Sequence, residues 1–259
     1  MRAAISKAEI ESTIASRFGD AFKHHAVKRT EVIASSVAEI DALAGGGLPR
    51  GAITEIFGSA SSGRTSLMLS TLATATGNEE VCAIVDMNNA LDPESANKTN
   101  VNLERLLWVR CDNQLEHAFK ATDLLLQGGG FGIVVLDLGD LSPKATQRII
   151  SSWWYRFRRV VENTPTALLV ITQDCSVRSC AALSLEMKNE ATVWSQAHQE
   201  LSRNGAESLI NSSTPAKTIA PLVSHGRLLS SVTMSVKRHR PITPAVAQTS
   251  VCVFVRPAD

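Results

Sequence analysis

A glycine-rich loop between two apolar segments carries the residue types that bind phosphate. Gly58 and Gly63 are the first and sixth positions of this loop, and Arg64, Thr65 and Ser66 follow it directly. The spacing matches the phosphate-binding pattern G-x-x-x-x-G-K-S/T, except that arginine replaces lysine. Glycines let backbone N–H groups converge on phosphate oxygens, and the N-terminus of a following helix adds partial positive charge. The residues that we expect to contact phosphate share this loop: Gly58, Ser61, Ser62, Gly63, Arg64, Thr65 and Ser66.

An acid at the end of another apolar segment could supply the second half of such a site. Residues 132–136 form a short apolar run, and Asp137 follows it. A carboxylate at the carboxyl end of a buried strand can hold magnesium-bound water opposite the loop hydroxyl, here that of Thr65. We therefore expect Thr65 and Asp137 to share a magnesium ion if nucleotide binds. The alternative is a strand that merely happens to end in an acid.

The segments that would position these residues have the pattern of a parallel sheet. Five apolar runs have the length of strands: residues 52–57, 81–86, 105–110, 132–137 and 166–172. Continuous apolar runs favour strands that are buried on both faces. Alternating runs at 231–237 and 249–255 favour an antiparallel hairpin at the sheet edge. The predicted fold class is therefore α/β, a mostly parallel sheet flanked by helices, with a C-terminal antiparallel edge hairpin.

The chain divides into an N-terminal segment and a core that contains this sheet. Residues 1–34 are predicted to form an amphipathic helix and a linker, because Ile10, Ile14 and Phe18 recur at helical spacing. The helix would pack either on its own core or on a neighbouring molecule. Residues 35–259 form the predicted core, within which the polar stretch 195–230 is expected to be a mobile connection. Residues 143–161 are predicted to be one long helix whose arginines either lie in solvent or pair with nucleic acid.

Composition and charge exclude several classes of protein. The chain has 259 residues, 44% of them hydrophobic, with a formal net charge of +1, so no overall basic field predicts nucleic-acid binding. Its five cysteines lack paired spacing, which favours reduced thiols over a disulfide framework or a zinc site. Neither an apolar signal-peptide region nor a run of about 18 apolar residues occurs, so we expect a cytoplasmic protein without a membrane span.

Together these motifs resemble the core of the RecA recombinase. The similar stretches occur in the same order along about residues 14–255: GGLPRG at 46–51, EIFG at 55–58, SSGRT at 61–65, CAIVD at 82–86, ALDP at 90–93, VVLD at 134–137 and LSPKA at 141–145. The order and spacing are more specific than an isolated phosphate-binding loop. The resemblance implies a RecA-like P-loop core that binds ATP between neighbouring subunits, and hence a homo-oligomer as one expected assembly.

The residues that differ from the RecA pattern lie at positions that bind nucleotide or act on it in RecA. Arg64 stands at the P-loop lysine, and its planar fork does not place a point charge between phosphates. The resemblance aligns Asn88 with the glutamate that activates water, and an amide is not a base at neutral pH. It aligns Ser95 with the aromatic that stacks on adenine. Two residues of the pattern are retained. Gln173 corresponds to the glutamine that couples ATP to DNA in RecA, and Lys237 corresponds to one of its subunit-bridging lysines. The second bridging lysine is replaced by His239.

A shortened RecA-like core with a damaged nucleotide site resembles the ImuA family, the RecA-related accessory of bacterial inducible translesion mutagenesis. This resemblance implies work in a DNA-damage-induced complex with an inactive Y-family-like polymerase homologue and an error-prone replicative-type polymerase. RecA itself is a further candidate partner of this chain. Its cofactor would be ATP or ADP with magnesium, or none, and no residue would be catalytic. Two other interpretations stay open. The chain could be an active RecA-family DNA-dependent ATPase, or nucleotide could bind without hydrolysis and set the oligomeric state. Whether single-stranded DNA is contacted directly is also left open.

Overall fold

A computed structural model describes residues 31–146, 148–194, 229–241 and 248–254. The helix predicted from the N-terminal periodicity and nearly all of the predicted mobile connection at 195–230 lie outside these residues. Among the described helices, none combines the length and apolarity that crossing a membrane requires.

One eight-stranded sheet forms the centre of the described core. Its strands, numbered along the chain, are β3 (Ile53–Gly58), β4 (Cys82–Asp86), β5 (Leu106–Arg110), β6 (Ile133–Asp137), β7 (Ala167–Thr172), β8 (Leu183–Trp194), β9 (Leu229–Arg240) and β10 (Gln248–Phe254). They lie in the order β10-β9-β8-β3-β7-β6-β4-β5. The run from β8 to β5 is parallel, whereas β9 and β10 are antiparallel. The predicted α/β fold class and the edge hairpin are confirmed. A separate pair, β1 (Val32–Ile33) and β2 (Leu48–Pro49), is antiparallel.

Helices cover both faces of the sheet. They are α1 (Ala38–Ala44), α2 (Arg64–Gly77), α3 (Pro93–Lys98), α4 (Leu115–Gly128), α5 (Pro143–Thr146) and α6 (Ser151–Val161). Buried residues of α1, α2 and α3 belong to one apolar cluster, whereas those of α4 and α6 belong to a second. Neighbouring strand residues alternate between them, as Cys82 and Ile84 of β4 lie in the first and Ala83 and Val85 in the second. Parallel strands buried on both faces explain their continuous apolar runs.

The prediction of one helix over residues 143–161 is wrong. Helix α5 ends at Thr146 and α6 begins at Ser151, after Ile150 adopts an extended conformation with φ −69° and ψ 125°. Ile149 and Ile150 are β-branched, which lowers helix propensity at the break. The buried side of α6 is formed by Trp154, Phe157 and Val161. Trp153 and Val160 of the same helix are partly buried and pack against the same apolar cluster.

Candidate functional site

The P-loop, Gly58 to Gly63, connects the central strand β3 to helix α2. Strands β8 and β9 pack so closely against it that its two glycines are required. A Cβ on Gly58 would lie 2.1 Å from the carbonyl oxygen of Met187 in β8. A Cβ on Gly63 would lie 1.9 Å from Sδ of Met234 in β9, and Gly63 has a φ of 91°. A Cβ on Gly58 would therefore displace the backbone of β8. A Cβ on Gly63 would displace the Met234 side chain and would be strained by the positive φ. The loop is thus fixed against two strands that the sequence could not assign to it.

The hydroxyl residues of the P-loop separate into an exposed and a buried set. Thr65 and Ser66, in the first turn of α2, are exposed and line an open groove of about 940 Å³. Ser95, at the predicted adenine position, lines the same groove. Ser61 is exposed, and its φ is 59°. Ser62 is fully buried, and its Oγ has no hydrogen-bond partner in the described part of the chain. The structure therefore brings Thr65, Ser66 and Ser95 together and turns Ser62 away from them.

Arg64 is engaged within the protein. Only 8% of the residue is exposed. Its Nη1 donates to the carbonyl oxygen of Thr172 at 2.5 Å and to that of Gly139 at 3.3 Å. Burial lowers the pKa of Arg64, although the nearby Asp137 and Asp140 act in the opposite direction. The sequence predicts that the Arg64 guanidinium faces phosphate. In the structure it is instead bonded to carbonyl oxygens at the carboxyl ends of β6 and β7.

Asp137 is half-buried at the end of β6, and its surroundings disfavour the charge that a magnesium site needs. Its Oδ1 accepts a hydrogen bond from the Gly139 N–H at 2.8 Å. Burial raises its pKa to about 6, and the nearby Asp86 and Asp140 also raise it. The hydrogen bond from Gly139 and the charge of Arg64 lower the pKa but do not outweigh burial. A Cβ on Gly139 would lie 3.0 Å from Asp137 Oδ1 and 3.4 Å from Arg64 Nη1. Exposed hydroxyls beside the loop fit a polyphosphate, but a guanidinium beside Asp137 does not fit a magnesium ion in this arrangement.

The loop after β4 holds Asn88 in a hydrogen bond between side-chain amides. Asn88 Nδ2 donates to Asn113 Oδ1 at 2.6 Å. Asp86, which is 1% exposed, organises the same loop by accepting from the backbone N–H groups of Ala90 at 3.0 Å and Leu91 at 2.9 Å. Its Oδ2 also accepts from Trp108 Nε1 at 3.1 Å. Within this loop the buried carboxylate has a structural role, and the amide in the position of the base cannot take up a proton.

Ser95 lies in the first turn of α3, where it bonds to the capping residue Asp92 and presents no aromatic surface. Its hydroxyl donates to Asp92 Oδ2 at 2.5 Å, and Asp92 also accepts from the backbone N–H groups of Glu94 and Ser95. A side chain of this size offers no ring for a base to stack on. The groove therefore lacks, at this position, the contact that the resemblance implies for adenine.

The remaining predicted residues lie on neighbouring strands. Gln173 is half-buried and directly follows β7. Lys237 is exposed on β9, which is separated from the P-loop strand β3 by β8. His239 Nε2 lies 2.7 Å from Glu186 Oε2, and its ring centroid is 5.4 Å from that of Phe57. Lys237 and His239 are thus two strands from β3 and outside its loop, and His239 already has partners in its own chain.

Glu55 is a structurally important residue that the sequence analysis did not single out. It lies fully buried in the centre of β3. Its Oε1 accepts from the N–H and hydroxyl groups of Ser176 at 2.6 and 3.2 Å and from the N–H of Val177 at 2.9 Å. Its Oε2 lies 3.3 Å from both Cys175 Sγ and Ser184 Oγ. The available signal was one acid inside an otherwise apolar strand, which requires buried hydrogen-bond donors.

Comparison with known proteins identifies the relatives of this chain. Residues 4–148 match the RecA N-terminal domain family. Protein RecA of Methylobacterium sp. (strain 4-46) is 43% identical over 121 residues, which cover 46% of this chain and 33% of that protein. Protein RecA of Methylococcus capsulatus is 44% identical over 122 residues, covering 46% and 35%. Protein RecA of Pseudomonas putida is 45% identical over 105 residues, covering 40% and 29%. The chain thus spans about a third of the length of these relatives.

Proposed function

Because the chain belongs to the RecA family, as the match of residues 4–148 shows, we propose that it is a RecA-like accessory protein of bacterial SOS-inducible translesion DNA synthesis. It acts through protein–protein interaction and does not depend on ATP hydrolysis. The observation that carries this proposal is the engagement of Arg64 by the carbonyl oxygens of Thr172 and Gly139. An active P-loop requires a cation that faces phosphate.

Two further positions support a protein that keeps the RecA-like fold but does not hydrolyse ATP. Asn88 is bonded to Asn113, and an amide cannot serve as the general base for water attack. Loss of a general base commonly lowers a rate by roughly 10²–10⁴-fold. Ser95 bonds to Asp92 and presents no ring to a base. In the described part of the chain, the sheet and the helices on both of its faces are formed around these positions, as a protein that works through a binding surface requires.

The partners follow from the resemblance to the ImuA family. They are an inactive Y-family-like polymerase homologue, an error-prone replicative-type polymerase and RecA itself. The complex would assemble in the bacterial cytoplasm after DNA damage. Partner binding would use surfaces outside the P-loop, because the loop is packed against β8 and β9 on its inner side.

A nucleotide-switched or active RecA-family ATPase is the second candidate function. The observation that favours it is the open groove of about 940 Å³, which Thr65, Ser66 and Ser95 line together. Backbone N–H groups at the start of α2 could bind the phosphates of ATP or ADP there. Bound nucleotide would then set the oligomeric state. Lys237 and His239 would reach the nucleotide of a neighbouring subunit, and Gln173 would couple nucleotide to DNA.

Recovery of the predicted complex tests the first function. The intact chain is used as bait in extracts of cells with damaged DNA, and the bound proteins are identified by mass spectrometry. We expect a Y-family-like polymerase homologue or a replicative-type polymerase, with RecA as a further component. Recovery of none of these proteins would overturn the accessory role.

ATP turnover by the purified chain separates the two functions. The accessory role predicts no steady turnover with magnesium, with or without single-stranded DNA. Turnover that Asp137→Ala abolishes would instead establish the ATPase. A shift in thermal stability on addition of ATP, with no turnover, would favour the nucleotide-switched form.

A further inference from the structure

The segment that follows β7 is attached to the P-loop region at both of its ends. Thr172 is the last residue of β7, and its carbonyl oxygen accepts from Arg64, the first residue of α2. Four to five residues later, Ser176 and Val177 donate their N–H groups to Glu55, in the strand that leads into the P-loop. The two residues that bond this segment, Glu55 and Arg64, therefore lie just before and just after the loop from Gly58 to Gly63. Each contact joins parts of the chain that are more than a hundred residues apart.

The Arg64 contact is a buried cation on main-chain acceptors. Its side chain reaches the ends of two strands at once, because Gly139 follows β6 and Thr172 ends β7. A guanidinium has no acceptor and needs all its donors satisfied when it is buried. Turning Arg64 toward an anion at the P-loop would leave both carbonyls without this donor.

The Glu55 contact is a buried carboxylate that receives donors from one short segment. Ser176 contributes its N–H and its hydroxyl, and Val177 contributes its N–H. Val177 is 2% exposed, so its N–H would have no water to bond if the carboxylate were absent. Hydrogen bonds to a charged acceptor are about twice as strong as neutral ones. This end of the segment is therefore fixed independently of Arg64.

We infer that Arg64 and Glu55 form a permanent latch that holds residues 172–177 in one conformation, so that ligands at the P-loop do not move this segment. Arg64 is then a positioning residue of the segment and does not bind phosphate. Gln173, Asp174 and Cys175, between the two anchors, are held at or near the surface. The inference rests on the proposed function, in which the chain works without a nucleotide-driven step.

Amide hydrogen exchange of the full-length chain tests the latch. Peptides covering residues 172–178 are followed with no ligand, with saturating Mg·ATP and with inorganic tripolyphosphate. We expect the same exchange rate in all three conditions. A change of severalfold or more in this segment on addition of either ligand would overturn the latch, whether or not ATP is hydrolysed. The accessory role, in contrast, is tested by turnover and by partner recovery, so the two ideas fail separately.

Two substitutions test the anchors themselves. Arg64→Met keeps the length of the stem but removes the donors, and Glu55→Gln removes the charge while keeping the shape. We expect exchange in residues 172–178 to accelerate about tenfold for Arg64→Met and severalfold for Glu55→Gln, with peptides from α4 unchanged. Arg159→Met and Glu39→Gln, at exposed positions, are the matched controls and should match the wild type. Exchange rates equal to those of the wild type in both anchor variants would overturn the inference. If either variant fails to fold, the comparison of the wild-type protein with and without ligands decides it.

Discussion

At the scale of single residues, Glu55 is the buried acid to which the segment after β7 is attached. Its carboxylate is fully buried and accepts from Ser176, Val177 and Ser184. Glu55→Gln should lower the free energy of unfolding by about 1–2 kcal/mol, because the charge that strengthens these bonds is lost. Glu55→Ala leaves buried backbone donors without acceptors and should cost roughly 2–4 kcal/mol. Urea denaturation measures both. Equal stability of Glu55→Gln and the exposed control Glu39→Gln would show that Glu55 does not stabilise the fold.

Asp137 should make stability depend on pH. Burial raises its pKa in the folded protein to about 6, from the 3.8 of an unperturbed aspartate. Between these pH values the folded state binds more protons than the unfolded state, so stability falls as pH rises through this window. Asp137→Asn removes the cost of the buried charge and keeps an acceptor for Gly139. In buffer with EDTA it should be more stable than the wild type by about 1–3 kcal/mol at pH 7.5. That advantage should approach zero by about pH 4. An advantage that is the same at both pH values would refute the assignment.

At the scale of elements, helix α6 is attached to α4 by an aromatic cluster. The rings of Phe119 and Phe157 stack with centroids 5.6 Å apart, and Phe157 is fully buried. Phe157→Ala should lower the free energy of unfolding by about 3–5 kcal/mol, since it removes a large buried side chain and leaves a cavity. Tyr155 on the same helix is 57% exposed, and Tyr155→Ala should change stability by less than about 0.5 kcal/mol. Similar denaturant midpoints for the two variants would contradict the packing of α6.

Elements with a strong local pattern were predictable, and contacts between distant elements were not. The parallel strands were visible because burial on both faces gives continuous apolar runs, as in β6, where four of five residues are fully buried. Helix α1 was missed because seven residues give little periodicity before Gly45 ends the helix. At the site, the loop and Asp137 followed from spacing alone. The partners of Arg64 and Glu55 did not, because Thr172 and Ser176 lie 108 and 121 residues further along the chain.

At the scale of the whole molecule, one sheet separates two apolar layers. The first layer contains Cys82 and the second contains Cys111 and Cys180, and all three are buried. Neighbouring residues of the same strands face opposite layers, so neither layer can lose its packing while the sheet stays intact. The P-loop joins this arrangement through Met187 and Met234, which contact its glycines from the first layer. The candidate site should therefore be lost together with the fold.

The two layers should unfold in a single transition. Pulsed alkylation across a urea series, with modified peptides quantified by mass spectrometry, reports each layer separately. Burial raises the pKa of the Cys82 thiol to about 12, so it should react only on unfolding. We expect Cys82, Cys111 and Cys180 to become reactive at the same urea concentration, because they pack on opposite faces of one sheet. The exposed thiol of Cys252 serves as a control that does not require global unfolding to react. Separate midpoints for Cys82 and for the other two buried thiols would mean that the layers are independent, and that the P-loop could open without unfolding the aromatic layer of α4 and α6.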